Sequence, residues 1–246
     1  MMKNLPYGWR AKLGLVYIAS AWSMEAEFYE MAPRGVTTHT TRVSLCENPE
    51  NFSVKDVASL GKDVVEATKL LAQAPLSSIA FGCTSGSFTN GVGYDTKLIE
   101  EMEAVSKGIP CTTTTTAVVE ALKSLGVNKI AIATPYEKAV YELAHKFMED
   151  SGFTVTNTTG LEITNEYEIS ALDIQTIYEM AREADTDDAE ALFISCTGLS
   201  AVHILDALEE DLGKPVISSN QATFWHSLKL SNINSKIDGF GSLFQK

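Results

Sequence analysis

The sequence predicts an α/β fold in two pseudo-symmetric halves, each a mostly parallel sheet flanked by helices, facing each other across a cleft. Three observations predict it. Strand-length apolar runs alternate with segments of helical period along nearly the whole chain, the pattern of open parallel sheets. Two blocks, Ala80-Phe81-Gly82-Cys83-Thr84-Ser85-Gly86 and Phe193-Ile194-Ser195-Cys196-Thr197-Gly198-Leu199, each end an apolar run on Cys-Thr and then open into a helix. Each block is followed by a Gly-x-Pro turn, Gly108-Ile109-Pro110 and Gly213-Lys214-Pro215, then by a Ser/Thr-rich run and a further helix.

Residues 13–19 read as a buried strand and 36–43 as a second, threonine-rich one. Residues 54–73 carry apolar side chains at helical spacing (Val57, Leu60, Val64, Ala67, Leu71), with Ser53 as N-cap and Pro75 beyond the end. Residues 78–83 are the third strand, 95–106 a helix, and 117–125 another, closed by Gly126. The pattern then restarts with a strand at 129–134, a helix at 137–150 ending at Gly152, a strand at 153–156 and a loop at 162–168. A long helix at 169–184, a strand at 191–196, a helix at 201–212, a short strand at 215–218 and a helix at 221–230 complete it. The polar tail, 231–246, carries no expectation. The expected halves are 1–116, holding Cys83, and 117–230, holding Cys196, with part of the C-terminal segment packing back on the first half.

At 246 residues, 45% of them apolar, the chain can build two domains of ordinary size. A formal charge of −13 argues against a nucleic-acid partner, but local donors inside a cleft can still hold a small anion. The acidic runs Glu100, Glu101, Glu103 and Glu209, Glu210, Asp211 read as solvated helix faces. No apolar stretch reaches the roughly 18–20 residues of a membrane span. Residues 1–9 do not have the pattern of a signal peptide. The expectation is a cytoplasmic protein with no membrane partner. Cys46, Cys83, Cys111 and Cys196 form no C-x-x-C pair, so neither a structural zinc site nor a disulfide framework is expected, and the thiols are free.

A cysteine placed where a strand ends and a helix begins meets unpaired N–H groups and the positive end of the helix, which favour thiolate. The same N–H groups, with the hydroxyls of Thr84, Ser85 and Thr197, make a cradle for a carboxylate. Open α/β sheets bind ligands at the carboxyl ends of their strands, where both Cys-Thr pairs fall. A lone buried cysteine is ordinarily a small hydrophobe. The matched placement of Cys83 and Cys196 is what raises them above that reading. Cys46, before Glu47-Asn48-Pro49, reads as incidental, and Cys111 as a packed, inert thiol. Residues 86–93 are glycine-rich but lack G-x-G-x-x-G and the Gly-Lys-Ser/Thr of a P-loop, so nucleotide binding has no motif behind it. His39, His145, His203 and His226 are isolated, and H-E-x-x-H and G-x-S-x-G are absent. Tyr136, just past strand 129–134, falls at another carboxyl end, with its hydroxyl in reach of a carboxylate.

Gly82-Cys83-Thr84-Ser85, Gly108-Ile109-Pro110-Cys111-Thr112-Thr113, Ala131-Ile132-Ala133-Thr134-Pro135-Tyr136 and Ser195-Cys196-Thr197-Gly198-Leu199 resemble the aspartate/glutamate racemase superfamily, in its branch of maleate cis–trans isomerases and arylmalonate decarboxylases. The likeness runs from about Leu13 to about Leu230. It implies an active site between the two halves, no cofactor and no metal, a catalytic pair Cys83 and Cys196, and carboxylate contacts from Thr84, Ser85, Tyr136, Thr197 and Gly198. It also implies a homodimer or higher homo-oligomer. Arylmalonate decarboxylases have a glycine where this chain has Cys83, so two sulfurs move the expectation toward an isomerase or racemase. The sequence also departs from maleate isomerases. Ala21 stands where they carry an asparagine, and a second family asparagine aligns with Glu166 or, one residue away, Asn165. Both departures bear on specificity more than on chemistry.

The implied activity is cofactor-independent isomerisation of a small dicarboxylate, by thiolate addition from Cys83, bond rotation and elimination, with Cys196 on the other face. An amino-acid racemase of the Asp/Glu type, moving the α-proton between two thiols, is the alternative, followed by a malonate-type decarboxylase needing Cys196 alone. A protein that only binds a dicarboxylate competes from another class. Two thiols are more than binding needs.

Overall fold

The computed structural model describes residues 6–246, so residues 1–5 of the stretch read for a signal peptide lie outside the described residues. In the first half, β1 (Ala11–Ile18), α1 (Ser23–Met31), β2 (Val36–Val43), α2 (Val54–Ala58), α3 (Gly61–Leu71), β3 (Ser78–Gly82), α4 (Thr84–Phe88), α5 (Tyr94–Val105), β4 (Cys111–Thr113) and α6 (Thr114–Leu125) follow in order. In the second come β5 (Lys129–Tyr136), α7 (Lys138–Asp150), β6 (Thr154–Ile163), α8 (Glu166–Ser170), α9 (Ile174–Ala184), β7 (Ala191–Ile194), α10 (Leu205–Leu212), β8 (Val216–Ser218) and α11 (Ser219–Leu230). The strands form two four-stranded sheets of equivalent order, β2-β1-β3-β4 and β6-β5-β7-β8, and every pairing is parallel. The α/β class and the repeat read from the sequence are therefore observed.

The differences from the sequence reading are local. The helix expected over 54–73 breaks at Ser59 and Leu60, giving α2 and α3. Ser53 does cap it, in a box with Asp56. The helix expected from residue 169 is likewise two, because Asp173 accepts a hydrogen bond from Thr176 N at 2.8 Å and starts α9 afresh. Capping side chains offer the backbone an alternative to a continuous helix, and apolar spacing does not register them. The strand expected over 153–156 is ten residues long, since β6 runs threonine-rich along the exposed edge of its sheet. The tail is ordered. Leu243 and Phe244 are buried, and Ser242 N donates to Glu209 Oε2 on α10.

Two features of this frame position the site. First, β4 and β8 feed directly into helices through hydroxyl caps: Thr113 accepts from Thr116 N for α6, and Ser218 from Gln221 N for α11. Second, α11 crosses from the second half onto the first. Its Ser227 carbonyl accepts from Ser78 Oγ on β3, and Thr223 Oγ1 donates to Thr114 Oγ1 on α6. Phe224 is fully buried between Phe28 of α1, with ring centroids 5.0 Å apart, and Phe244 of the tail, at 6.2 Å. Phe224→Ala is expected to cost about 3–5 kcal/mol, seen as a lower denaturant midpoint at unchanged slope. A loss below about 1 kcal/mol would show that this crossing helix does not hold the halves together.

Candidate active site

The carboxyl ends of the two sheets enclose a pocket lined by Ile18, Leu45, Phe52, Cys83, Ser85, Tyr136, Glu166, Cys196 and Thr197. It is narrow, with about 300 Å³ of atom-free space when its open mouth is included. The lining follows the repeat. Cys83 and Cys196 come from the ends of β3 and β7, and Ile18 and Tyr136 from the ends of β1 and β5. Leu45 and Phe52 follow β2, as Glu166 follows β6.

Cys83 is the N-cap of α4, and its sulfur accepts from Gly86 N at 3.3 Å. A side chain at residue 86 would bring its Cβ to 3.0 Å from that sulfur, so glycine is what lets the turn close on the thiol. The hydroxyl of Ser85 lies 3.7 Å from the same sulfur. At the other turn Gly198 N donates to Cys196 Sγ at 3.3 Å, and Tyr136 lines the same pocket. Burial outweighs these donors. It pushes the Cys83 thiol up to about 12 and Cys196 higher still, with the Glu166 carboxylate the next cause at Cys196. The expected lowering of the thiols by helix ends is thus reversed, because α4 is a single short turn and, among the described residues, no cation lines the pocket. Burial also raises the Tyr136 hydroxyl well above its ordinary range.

Of the residues expected to contact carboxylate, Ser85, Tyr136 and Thr197 line the pocket with the two cysteines. Thr84 corrects the expectation. Its hydroxyl donates to Ser219 Oγ at 2.9 Å, at the start of α11, and so is turned away from the pocket. Gly198 contributes through its backbone, at the Cys196 sulfur. Ala21 is buried, with its carbonyl accepting from Arg42 Nη1 at 2.6 Å. His145 and His203 lie half-exposed beside Glu149 and Glu30, outside the pocket.

The structure separates Asn165 from Glu166. The Asn165 side chain caps α8, accepting from Tyr167 N at 3.0 Å and Glu168 N at 3.4 Å. This turn carries Glu166 inward until it is 8% exposed. A Cβ on Gly198 would stand 3.3 Å from Glu166 Oε1, which puts the carboxylate against the Cys196 turn. Burial alone raises Glu166 to about 7. The apolar wall of Ile18, Leu45 and Phe52 was missed in the sequence. The usable signal was position, since Leu45 and Phe52 follow a strand's carboxyl end; Phe52 N bonds to Thr164 O at 3.4 Å and draws the two loops together. Among the described residues no group of three or more His, Cys, Asp or Glu side chains is placed to hold a metal ion, and no helix is long and apolar enough to cross a membrane.

Two like α/β halves that each deliver one thiol to a closed pocket define a two-cysteine enzyme of the Asp/Glu racemase-like superfamily. Within it, the chain belongs to the arylmalonate decarboxylase family, whose sequence pattern matches residues 50–244. It is 30% identical over 188 residues to arylmalonate decarboxylase of Bordetella bronchiseptica, covering 75% of this chain and 78% of that protein. It is 25% identical over 226 residues to maleate isomerase of Alcaligenes faecalis, covering 89% and 87%. The fold superposes on maleate cis–trans isomerase of Nocardia farcinica, solved with a covalently bound succinylcysteine intermediate, with a TM-score of 0.89 at 21% identity over 96% of this chain and 99% of that one.

If burial keeps both thiols neutral, iodoacetamide labelling of Cys83 and Cys196 in the substrate-free protein is expected to rise about tenfold per pH unit with no plateau below pH 10. Peptide mass spectrometry reads each site separately. A plateau near pH 7 at either cysteine would mean a preformed thiolate.

Proposed function

We propose that the protein is a cofactor-independent isomerase of a small dicarboxylate, of the maleate cis–trans type, with Cys83 and Cys196 as its catalytic pair. The observation that carries this reading is the convergence of both thiols on one small pocket with the hydroxyls of Ser85, Thr197 and Tyr136 beside them. The covalent succinylcysteine in the Nocardia farcinica isomerase supports the chemistry. Cys83 loses its proton to solvent and its sulfur bonds to one alkene carbon. The π electrons pass to the neighbouring carbon and its carboxylate, where hydroxyl donors stabilise the developing charge. Cys196 lends a proton to that carbon and takes it back. Meanwhile the central bond, now single, turns. Breaking the C–S bond then gives the trans product, and Cys83 recovers its proton.

The decarboxylase relative favours a second reading, loss of CO₂ from a substituted malonate with Cys196 as the sole proton donor. The presence of Cys83 weighs against it. That sulfur would have no task.

A proton NMR time course with maleate at about pH 6, where Glu166 is protonated, is expected to show fumarate, with Cys83→Ala and Cys196→Ala each lowering turnover by at least about 1,000-fold. Ser85→Ala is expected to cost about 100-fold, as loss of one oxyanion donor does. Full turnover in Cys83→Ala would overturn the mechanism. Release of CO₂ from phenylmalonate that depends on Cys196 and not Cys83 would favour the second reading. Exchange of the α-hydrogen of aspartate or glutamate in deuterated water would instead mark a racemase.

A further inference from the structure

Glu166 is a buried carboxylate with no hydrogen-bond or ion-pair partner among the described residues, and it faces the pocket. Such groups are rarely kept without a task, because removing a carboxylate from water is costly unless something answers it. The titratable groups that face it are Tyr17 on β1, Cys46 in the loop after β2, Cys83, Tyr136 on β5 and Cys196. None is a cation. The acids of the adjoining segments, Glu47, Glu50 and Glu168, are exposed. The pocket therefore holds a hydrogen-bond acceptor at its Cys196 end, and the Ser85 hydroxyl as a donor at its Cys83 end.

We propose that Glu166 determines specificity, and that it takes an N–H-bearing group, an amide or an ammonium, at one end of a four-carbon acid whose other end is a carboxylate. This deepens the isomerase reading and rests on it for the size and frame of the substrate. A second carboxylate at that end would meet Glu166 charge to charge in a water-poor space, where like charges cost several kcal/mol. An N–H donor there satisfies the buried acceptor instead. Ile18, Leu45 and Phe52, which also line the pocket, offer a charged end nothing. Because burial raises Glu166 to about 7, the discrimination has a pH direction. Below about 6 the side chain is protonated and tolerates a carboxylate. Above about 8 it is an anion and rejects one.

The test uses unreactive saturated ligands, so that it does not depend on turnover. Affinities of the purified protein for succinate, succinamate and 4-aminobutyrate are measured by calorimetry at pH 6 and pH 8.5. At pH 8.5 succinamate or 4-aminobutyrate is expected to bind at least about tenfold tighter than succinate, with the winner telling amide from ammonium. At pH 6 the gap is expected to shrink several-fold, and in Glu166→Gln it is expected to lose its pH dependence. Succinate binding as tightly as both nitrogen ligands at pH 8.5 would overturn the assignment. This wild-type comparison decides the matter even if the variant does not fold. A nitrogen preference with no isomerisation of maleate or maleamate would overturn the isomerase reading and leave Glu166 in its role. Isomerisation of maleate without that preference would do the reverse.

Discussion

The start of α11 holds both cysteine turns at once, and the geometry of the site depends on it. Ser219 accepts the Thr84 hydroxyl beside Cys83. Asn220 Nδ2, one residue on, donates to the carbonyls of Thr197 at 3.4 Å and Leu199 at 3.1 Å, on the Cys196 turn. The same amide donates to Glu27 Oε2 at 2.6 Å, and Glu27 Oε1 accepts from Val202 N at 3.0 Å, which ties α1 of the first half into the second. Tyr17 completes the tie by donating to the Thr197 carbonyl at 3.0 Å. These groups are buried, so each lost partner leaves another polar atom unsatisfied at about 1–3 kcal/mol. The two sulfurs are thus referred to one rigid element rather than to two independent loops.

That rigidity has an electrostatic counterpart. The pocket contains thiols, hydroxyls and one carboxyl group, and among the described residues no cation lines it. In such surroundings every ionisable group is driven toward its neutral form: Glu27 and Glu166 rise to about 7, and the thiols rise out of the physiological range. Neutral thiols resist oxidation and metal capture. They become reactive only when a ligand changes the balance of donors and charge around them. Cys83 has the Gly86 N–H pointed at its sulfur and the Ser85 hydroxyl beside it, free to turn and donate, so forming the thiolate requires no new structure.

Much of this was legible in the sequence because the fold repeats. The alternation of Leu13, Leu15 and the buried run Ser78–Gly82 with helical segments identified parallel sheets, and the duplicated Cys-Thr turns identified the strand ends that face each other. Residues that strand position places at the cleft, Cys83, Ser85, Tyr136, Cys196 and Thr197, do line one pocket. What escaped depends on side-chain direction and on burial summed over the whole molecule. Thr84 and Ser85 are adjacent, yet one faces α11 and the other the pocket, which no spacing rule distinguishes. Helix-end arguments favoured thiolates, but they are local, whereas the desolvation that outweighs them arises from both halves closing together. Asn165 and Glu166 are separated only by one residue of register in a loop, and it is the α8 cap, which commits the Asn165 side chain to backbone N–H groups, that distinguishes them.

A repeated frame delivers symmetric chemistry, so the choice of substrate falls to the places where the repeat is broken. Equivalent strand ends supply Cys83 and Cys196, but Ile18 holds the position that Tyr136 holds in the other half, and Leu45 with Phe52 the position of Glu166. The first half contributes apolar side chains where the second contributes Tyr136 and Glu166, and a small ligand with two different ends would have one favoured orientation between two nearly equivalent sulfurs. Orientation in turn decides which sulfur meets which carbon. Two thiols on a pseudo-symmetric scaffold can exchange roles for a symmetric diacid; an unsymmetrical acid anchored at Glu166 would have its anchored end beside the Cys196 turn and its other end left to Cys83. The division of labour between the cysteines then comes from the walls of the pocket and not from any difference between the cysteine turns themselves.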